Sequence, residues 1–283
     1  MTGAAKRLGL AQPALSQAIA GLEDELGVAL LERGPRGIDL TPAGEAFLVA
    51  ARGALEAEDE ALGVAEALAR RERGELTVGF VGPPPALTAP ALFSAFGRRQ
   101  PAANVSFRDL PFPHGRTSSW LTSVDIAICH APDPEPGVRI ELLREEPRAV
   151  VARREMLPDV GSIAVADVLD ALYVSYDDDV QQAWAGFHSL DDHRGSAPAR
   201  TTEDRVKTAL QMLGIMSTSS GAMTTFPYAD AKLVQHAVPE LGVIPLGDAE
   251  PAAISLAWRT RNENPLIESL LASVQEAGGR DGV

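Results

Sequence analysis

Between residues 12 and 26 the apolar positions Leu15, Ile19, Leu22 and Leu26 recur every three or four residues, the spacing of one helical face. The pattern predicts a helix starting at Gln12-Pro13, with proline in the first turn, where no amide donor is needed, and with the leucine face buried. Its other face presents Gln12, Ala14, Ser16, Gln17, Ala20 and Gly21. A shorter stripe of Ala4, Ala5 and Leu8 precedes it and breaks at Gly9. Residues 29–33 and 38–40 flank Gly34-Pro35-Arg36-Gly37 and predict two short strands around a tight turn. Helix, turn, helix and strand pair make a winged arrangement.

Thr41-Pro42 is a helix start, threonine as cap and proline inside the first turn. No proline follows until after residue 73, and Leu48, Leu55 and Leu62 repeat every seven residues beside Ala51, Ala54, Ala61, Ala65 and Leu68. This predicts one helix of ~30 residues, about 45 Å long. A single apolar stripe on so long a helix, with charges elsewhere, implies pairing with another helix. Gly53 and Gly63 each weaken it by roughly 1 kcal/mol, so contacts with a partner must supply the rest.

After Gly74 strands and helices alternate. Strands are predicted at residues 76–81, 105–110, 125–129, 139–143, 148–152, 172–176, 214–217, 243–246 and 254–258. Helices are predicted at 87–100, 116–122, 165–169, 181–187, 203–213 and 265–276. Such alternation implies a mostly parallel sheet covered by helices on both faces. There are too many strands for one small sheet, so two α/β lobes with a cleft between them are expected. The tail 278–283 should fray.

The net charge of −14 over 283 residues argues against a protein that coats nucleic acid without specificity, because that attraction scales with Lys and Arg. Residues 1–73 carry 8 Lys and Arg against 12 Asp and Glu, so neither half is basic. The single cysteine, Cys129, excludes an internal disulfide and a zinc site of paired cysteines, and fits a reducing compartment. The first residues lack the apolar core of a signal peptide, and no run approaches the ~18 apolar residues of a membrane span. A cytoplasmic location without membrane contact is expected.

Several runs together resemble the LysR-type family of bacterial transcriptional regulators. They are Ala4-Ala5-Lys6-Arg7-Leu8, Gln12-Pro13-Ala14-Leu15-Ser16, Ile19 with Leu22-Glu23-Asp24-Glu25-Leu26-Gly27, Leu31-Glu32-Arg33, and Leu40-Thr41-Pro42-Ala43-Gly44. Gly74-Glu75-Leu76-Thr77-Val78-Gly79, Asp125-Ile126-Ala127-Ile128 and Ala257-Trp258-Arg259 are similar to the family's effector domain. The resemblance implies a winged helix-turn-helix at residues 1–41, a dimerising linker helix at 42–73 with Leu48, Leu55 and Leu62 on the seam, and an α/β effector domain at 74–283. That domain would have two lobes like a periplasmic binding protein, one from about 74–146 and 252–280, the other from 147–251.

The implied partners are double-stranded DNA, a small-molecule effector of unknown class, further copies in a homodimer or homotetramer, and RNA polymerase. A binding protein of the same fold with weakened DNA contact is the alternative. In such regulators the recognition helix enters the major groove. Base contacts therefore map onto Gln12, Pro13, Ala14, Ser16 and Gln17, and phosphate contacts onto Lys6, Arg7, Arg33 and Arg36. Against the family pattern the first helix is expected to be missing ahead of Met1, and Ala11 stands where a capping hydroxyl is usual. Pro83-Pro84-Pro85 occupy the place of small hydroxyl residues that meet a carboxylate at a helix start. The effector candidates at strand ends are Thr88, Thr117, His130, Tyr176, Asp177, Thr202 and Ser217.

Other constellations carry less. His188 and His193 with Asp177, Asp178, Asp179, Asp191 and Asp192 match no ligand spacing on a helix and read as a solvated loop, so no metal is expected. Ser217, Ser219 and Ser220 form no nucleophile elbow, and Gly79 with Gly82 forms no dinucleotide cradle. No enzyme and no cofactor is expected. Cys129 and the tryptophans Trp120, Trp184 and Trp258 read as buried residues.

Overall fold

The computed structural model describes residues 4–5, 9–34, 37–114, 117–130, 132, 134–218 and 221–277, and of Arg33, Glu56, Asp59, Glu60 and Ala86 the backbone alone. Lys6, Arg7, Leu8, Pro35, Arg36, Ser219, Ser220 and the tail 278–283 lie outside the described residues. The chain divides into two compact units, Met1–Ala61 and Leu62–Val283.

The first unit is built on α1 (Gln12–Leu26), β1 (Leu31–Gly34), β2 (Gly37–Leu40) and the beginning of α2 (Pro42–Glu72). Ala11 is extended and offers α1 no side-chain cap, as its methyl dictates. Gly27 ends the helix at φ 68°, a left-handed conformation that costs glycine no Cβ clash. The strands pair antiparallel with Leu31 opposite Leu40. Glu23 accepts the backbone N–H of Leu30 at 2.6 Å and of Leu31 at 3.0 Å, which ties α1 to the hairpin. Thr41 accepts the Gly44 amide at 2.9 Å and donates its hydroxyl to the Ala29 carbonyl, joining hairpin to α2. Gly44 itself is required, because a Cβ there would lie 2.0 Å from the Leu30 carbonyl oxygen.

The expectation of a buried leucine face on α1 is corrected. Leu15, Ile19 and Leu22 are half-buried and Leu26 is exposed, since the described side chains of this unit bury little beyond Ala5 and Leu30. Among the described residues, α1, the hairpin and the beginning of α2 offer too little surface to close over the stripe.

Helix α2 is unbroken over 31 residues, about 46 Å, and its residues fall on both sides of the division between units. Its last third, from Leu62 on, belongs to the second unit. Gly63 lies against the Thr122 carbonyl, where a Cβ would come within 2.3 Å. Arg70 Nε meets the fully buried Asp125 carboxylate at 3.0 Å.

The second unit has two five-stranded sheets. In the first the order is β4 (Asn104–Asp109), β3 (Glu75–Phe80), β5 (Ile126–His130), β12 (Ala252–Arg259), β6 (Val138–Glu146). In the second it is β11 (Leu241–Pro245), β7 (Arg148–Arg153), β10 (Ala222–Pro227), β8 (Leu172–Tyr176), β9 (Thr201–Val206). The chain passes between sheets at Pro147, between β6 and β7, and again between β11 and β12.

The expected mostly parallel sheet is corrected to two mixed ones. The parallel ladders are β4-β3-β5 and β10-β8-β9, while β12 runs antiparallel to β5 and β6, and β7 antiparallel to β10 and β11. The strands that carry the chain across the junction have no crossover helix to reverse them, so they pair antiparallel.

Helices follow at α3 (Pro85–Thr88), α4 (Pro90–Arg99), α5 (Thr117–Trp120), α6 (Gln182–Ser189), α7 (Asp191–Arg194), α8 (Ala209–Thr218), α9 (Tyr228–Ala237) and α10 (Pro265–Glu276). The predicted helix 87–100 is broken at Ala89, before Pro90, as the steric demand of proline on its predecessor requires. Residues 203–213 and 214–217 exchange roles: 201–206 is strand β9 and 209–218 is helix α8. An apolar run such as Gly214-Ile215-Met216 fits strand and buried helix equally, and only packing decides. One apolar cluster contains residues of both sheets, including Cys129, Ala127, Val151 and Val174, with Trp184 between them.

Candidate functional site

On α1, Gln12, Pro13, Ala14 and Gln17 are exposed and Ser16 is half-buried. Ser16 accepts the side-chain amide of Gln12 at 2.9 Å, one turn along the helix, so the two present a joined polar edge. Of the four cations mapped to phosphate, Lys6, Arg7 and Arg36 lie outside the described residues, and Arg33 is placed by its backbone in β1. Along α2 the seam leucines are uncovered: Leu55 is 61% and Leu62 59% exposed, Leu48 less so.

The seven effector candidates do not form one site. Thr117 is buried at the start of α5. In β9, Thr202 spends its hydroxyl locally, accepting the Ser175 amide at 2.9 Å and donating to the Asp204 carbonyl. Ser217 sits in α8 rather than at a strand end and donates to the Leu213 carbonyl at 2.8 Å, which corrects its placement. Asp177 pairs with Lys207 at 3.2 Å and lines a depression with Tyr176, Ser189 and Asp191. Thr88 and His130 share a different recess with Phe80, Ile254, Arg144 and Asp230.

At the junction of the two sheets the chain packs its own aromatic residues. His130 ends β5 and His188 lies on α6; their Nε2 atoms are 2.9 Å apart and both rings are buried. His188 Nδ1 meets the Thr225 carbonyl at 2.5 Å and so carries a proton there. Its Nε2 is then the acceptor and His130 Nε2 the donor, with both rings neutral. Burial pushes His130 down to about 3, helped by the Arg148 guanidinium, and burial with His130 itself holds His188 well below the ordinary value.

Trp184 tilts over His188 with centroids 4.1 Å apart, and Phe112 lies 4.4 Å from Trp184. The Tyr176 hydroxyl bonds Thr224 at 3.2 Å, and burial raises its pKa. Cys129 is buried, and desolvation pushes its thiol up to about 12, which leaves it unreactive.

Sequence reasoning missed Arg144, Glu146 and Asp230, and its reading of His188 as part of a solvated loop is corrected, since that residue is buried on α6. The predicted strand stopped at Leu143, one residue short of Arg144, and helix α9 was not predicted at all. The available signal was Pro227 just ahead of the helix. Among the described residues no group of three or more His, Cys, Asp or Glu could hold a metal ion. No helix among them is long and apolar enough to cross a membrane.

Residues 1–45 match the family described as "Bacterial regulatory helix-turn-helix protein, lysR family", and residues 69–279 match "LysR substrate binding domain". The chain is 30% identical over 276 residues to the HTH-type transcriptional regulator AlsR of Bacillus subtilis (strain 168), covering 95% of this chain and 88% of AlsR. Among solved structures it is similar to CbnR, a LysR family transcriptional regulator, at a TM-score of 0.52 and 25% identity, covering 97% of this chain and 94% of that one. Full-length CbnR in complex with its target DNA shares the fold at a TM-score of 0.54 and 24% identity, over 97% of this chain and 93% of that one. The family and these relatives are transcriptional regulators rather than enzymes, and no comparison supports a binding protein divorced from DNA. With a helix-turn-helix head, a long connecting helix and a two-sheet sensor in this order, the chain belongs to the LysR family of HTH-type transcriptional regulators.

Proposed function

We propose that residues 1–41 read double-stranded DNA, that 42–73 pair copies of the chain, and that 74–283 sense a small molecule. The sensor's lobes are 74–146 with 252–280, and 147–251. The observation that carries the reading is the free face of α1: Gln12, Ala14 and Gln17 are solvent-exposed, while Glu23 on the same helix is spent on the hairpin. Glutamine amides read adenine edges, serine bonds either base, and Ala14 or Pro13 touches a thymine methyl. Lys6, Arg7, Arg33 and Arg36 contact phosphate. Leu48, Leu55 and Leu62 meet their counterparts in a homodimer or homotetramer. The protein works in the cytoplasm, and RNA polymerase is its further partner.

An effector acts by binding one arrangement of the sensor more tightly than another, which shifts the paired heads. The test is fluorescence anisotropy of the full chain on DNA from upstream of its own coding region, across a salt series. Eight phosphate contacts per dimer set a log–log slope no steeper than about −7. Sequence-independent binding, or none, overturns the reading.

A further inference from the structure

The DNA reading, on which the present inference rests, gives Ser16 a base contact of its own; its hydrogen bond points to another part. Side chains on α1 lean toward the helix start, so Ser16 reaches back to Gln12, one turn earlier. Gln12 is exposed and Ser16 half-buried. The Gln12 side-chain amide donates to Ser16 Oγ at 2.9 Å, and Ser16 has no other side-chain partner among the described residues.

Helical serines elsewhere in the chain bond differently. Ser189, Ser217 and Ser273 donate to the carbonyls of Ala185, Leu213 and Ser269, four residues back, at 3.0, 2.8 and 2.7 Å. At Ser16 the bond goes instead to a side chain that faces solvent. Gln17, the other glutamine of the exposed face, has no side-chain partner among the described residues.

The chemistry that remains at Gln12 is specific. A primary amide has one carbonyl oxygen and two N–H groups. With one N–H spent on Ser16, Gln12 keeps one donor and one acceptor, the complement of the adenine N7 acceptor and N6–H donor in the major groove. Guanine shows two acceptors there and satisfies only half of that edge. A held amide also loses less rotamer freedom on meeting a base, whereas Gln17 must be ordered from a free state.

We infer that Ser16 is a positioning residue, which holds the Gln12 amide in place and through it sharpens the reading of one A·T pair in each half-site. Fluorescence anisotropy of the full chain tests this on DNA from upstream of its own coding region, with every base pair of the site replaced in turn. Gln12→Ala removes the preference at one A·T pair, by about 5- to 150-fold. Ser16→Ala weakens the preference at that same pair by about two- to tenfold. The other pairs and the salt slope stay as they were, because no phosphate contact is lost. In the Gln12→Ala background Ser16→Ala costs nothing further, and Ser16→Thr, which keeps the hydroxyl, retains the preference.

An equal cost of Ser16→Ala in both backgrounds, or a loss that falls on another base pair, overturns the inference and makes Ser16 a direct reader. A loss of the same size on every sequence also overturns it, as the mark of a purely structural residue. Failure of the unaltered chain to prefer its own site overturns the DNA reading and the positioning role with it.

Discussion

Replacing Asp125 by alanine removes the acceptor that holds the end of α2 to the first sheet. The carboxylate is fully buried and takes three donors: Arg70 Nε at 3.0 Å, the Thr77 amide at 2.8 Å and the Asn262 side chain at 3.3 Å. Arg70 is only 6% exposed and its Nη2 is already without a partner among the described residues. Truncation leaves the buried guanidinium only the long, exposed contact of Nη1 with Glu66 at 3.4 Å, a loss of about 3–5 kcal/mol. The orphaned Thr77 amide adds about 1–3 kcal/mol on its own, and because the two costs share one network the expected total is ~5 kcal/mol. That is a large share of the 5–15 kcal/mol that holds a typical domain together.

The assay is urea unfolding followed by tryptophan fluorescence, since Trp120, Trp184 and Trp258 are all buried in the second unit. The companion variant Arg70→Met with Asp125→Leu removes both charges and regains most of the loss, because neither partner is left stranded. A loss under about 1 kcal/mol for Asp125→Ala, or a double variant less stable than the single one, would refute the argument.

The His130–His188 pair makes stability depend on pH. Unfolded imidazoles take protons near 6.5 while the folded ones resist, so the pair's contribution is whole above pH 6.5 and is lost as pH falls toward about 3. The loss approaches ~1.4 kcal/mol per pH unit for each ring, measured by urea midpoints between pH 7 and 5. Asp230 works in the opposite sense between its ordinary 3.8 and about 7, so an Asp230→Asn background isolates the effect, and His130→Gln there should halve the slope. Trp184→Ala empties the junction between the sheets and should cost about 3–5 kcal/mol by the same unfolding assay. Gln17→Ala, on the exposed face of α1, should weaken binding to the specific site by roughly 1–3 kcal/mol and leave non-specific binding unchanged in the anisotropy titration. Leu55→Arg places charge on the exposed leucine stripe of α2 and should dissociate the proposed oligomer in sedimentation velocity.

Local chemistry was legible along the chain. Thr41-Pro42 starts α2, and Gly34 pairs with Gly37 where the two short strands meet, because capping and turn preferences act over a few residues. Residues 172–176 and 265–276 were found at their full extent because their apolar spacing has one period throughout. The failures lie where packing outvotes spacing. Strand β9 reads Thr-Thr-Glu-Asp-Arg-Val, polar because it is an edge with one face in water, and its composition imitates a helix. Strand β10 is buried at every position and so shows no alternation.

The sequence thus settled the order of head, connecting helix and sensor by itself, since each is announced by contacts between near neighbours. The recess was settled by tertiary structure alone. Arg144, His130, Thr88 and Asp230 come from four elements up to 142 positions apart, and whether a guanidinium keeps a spare proton depends on where the chain returns. A pattern in one strand holds no record of which loop will later cover it.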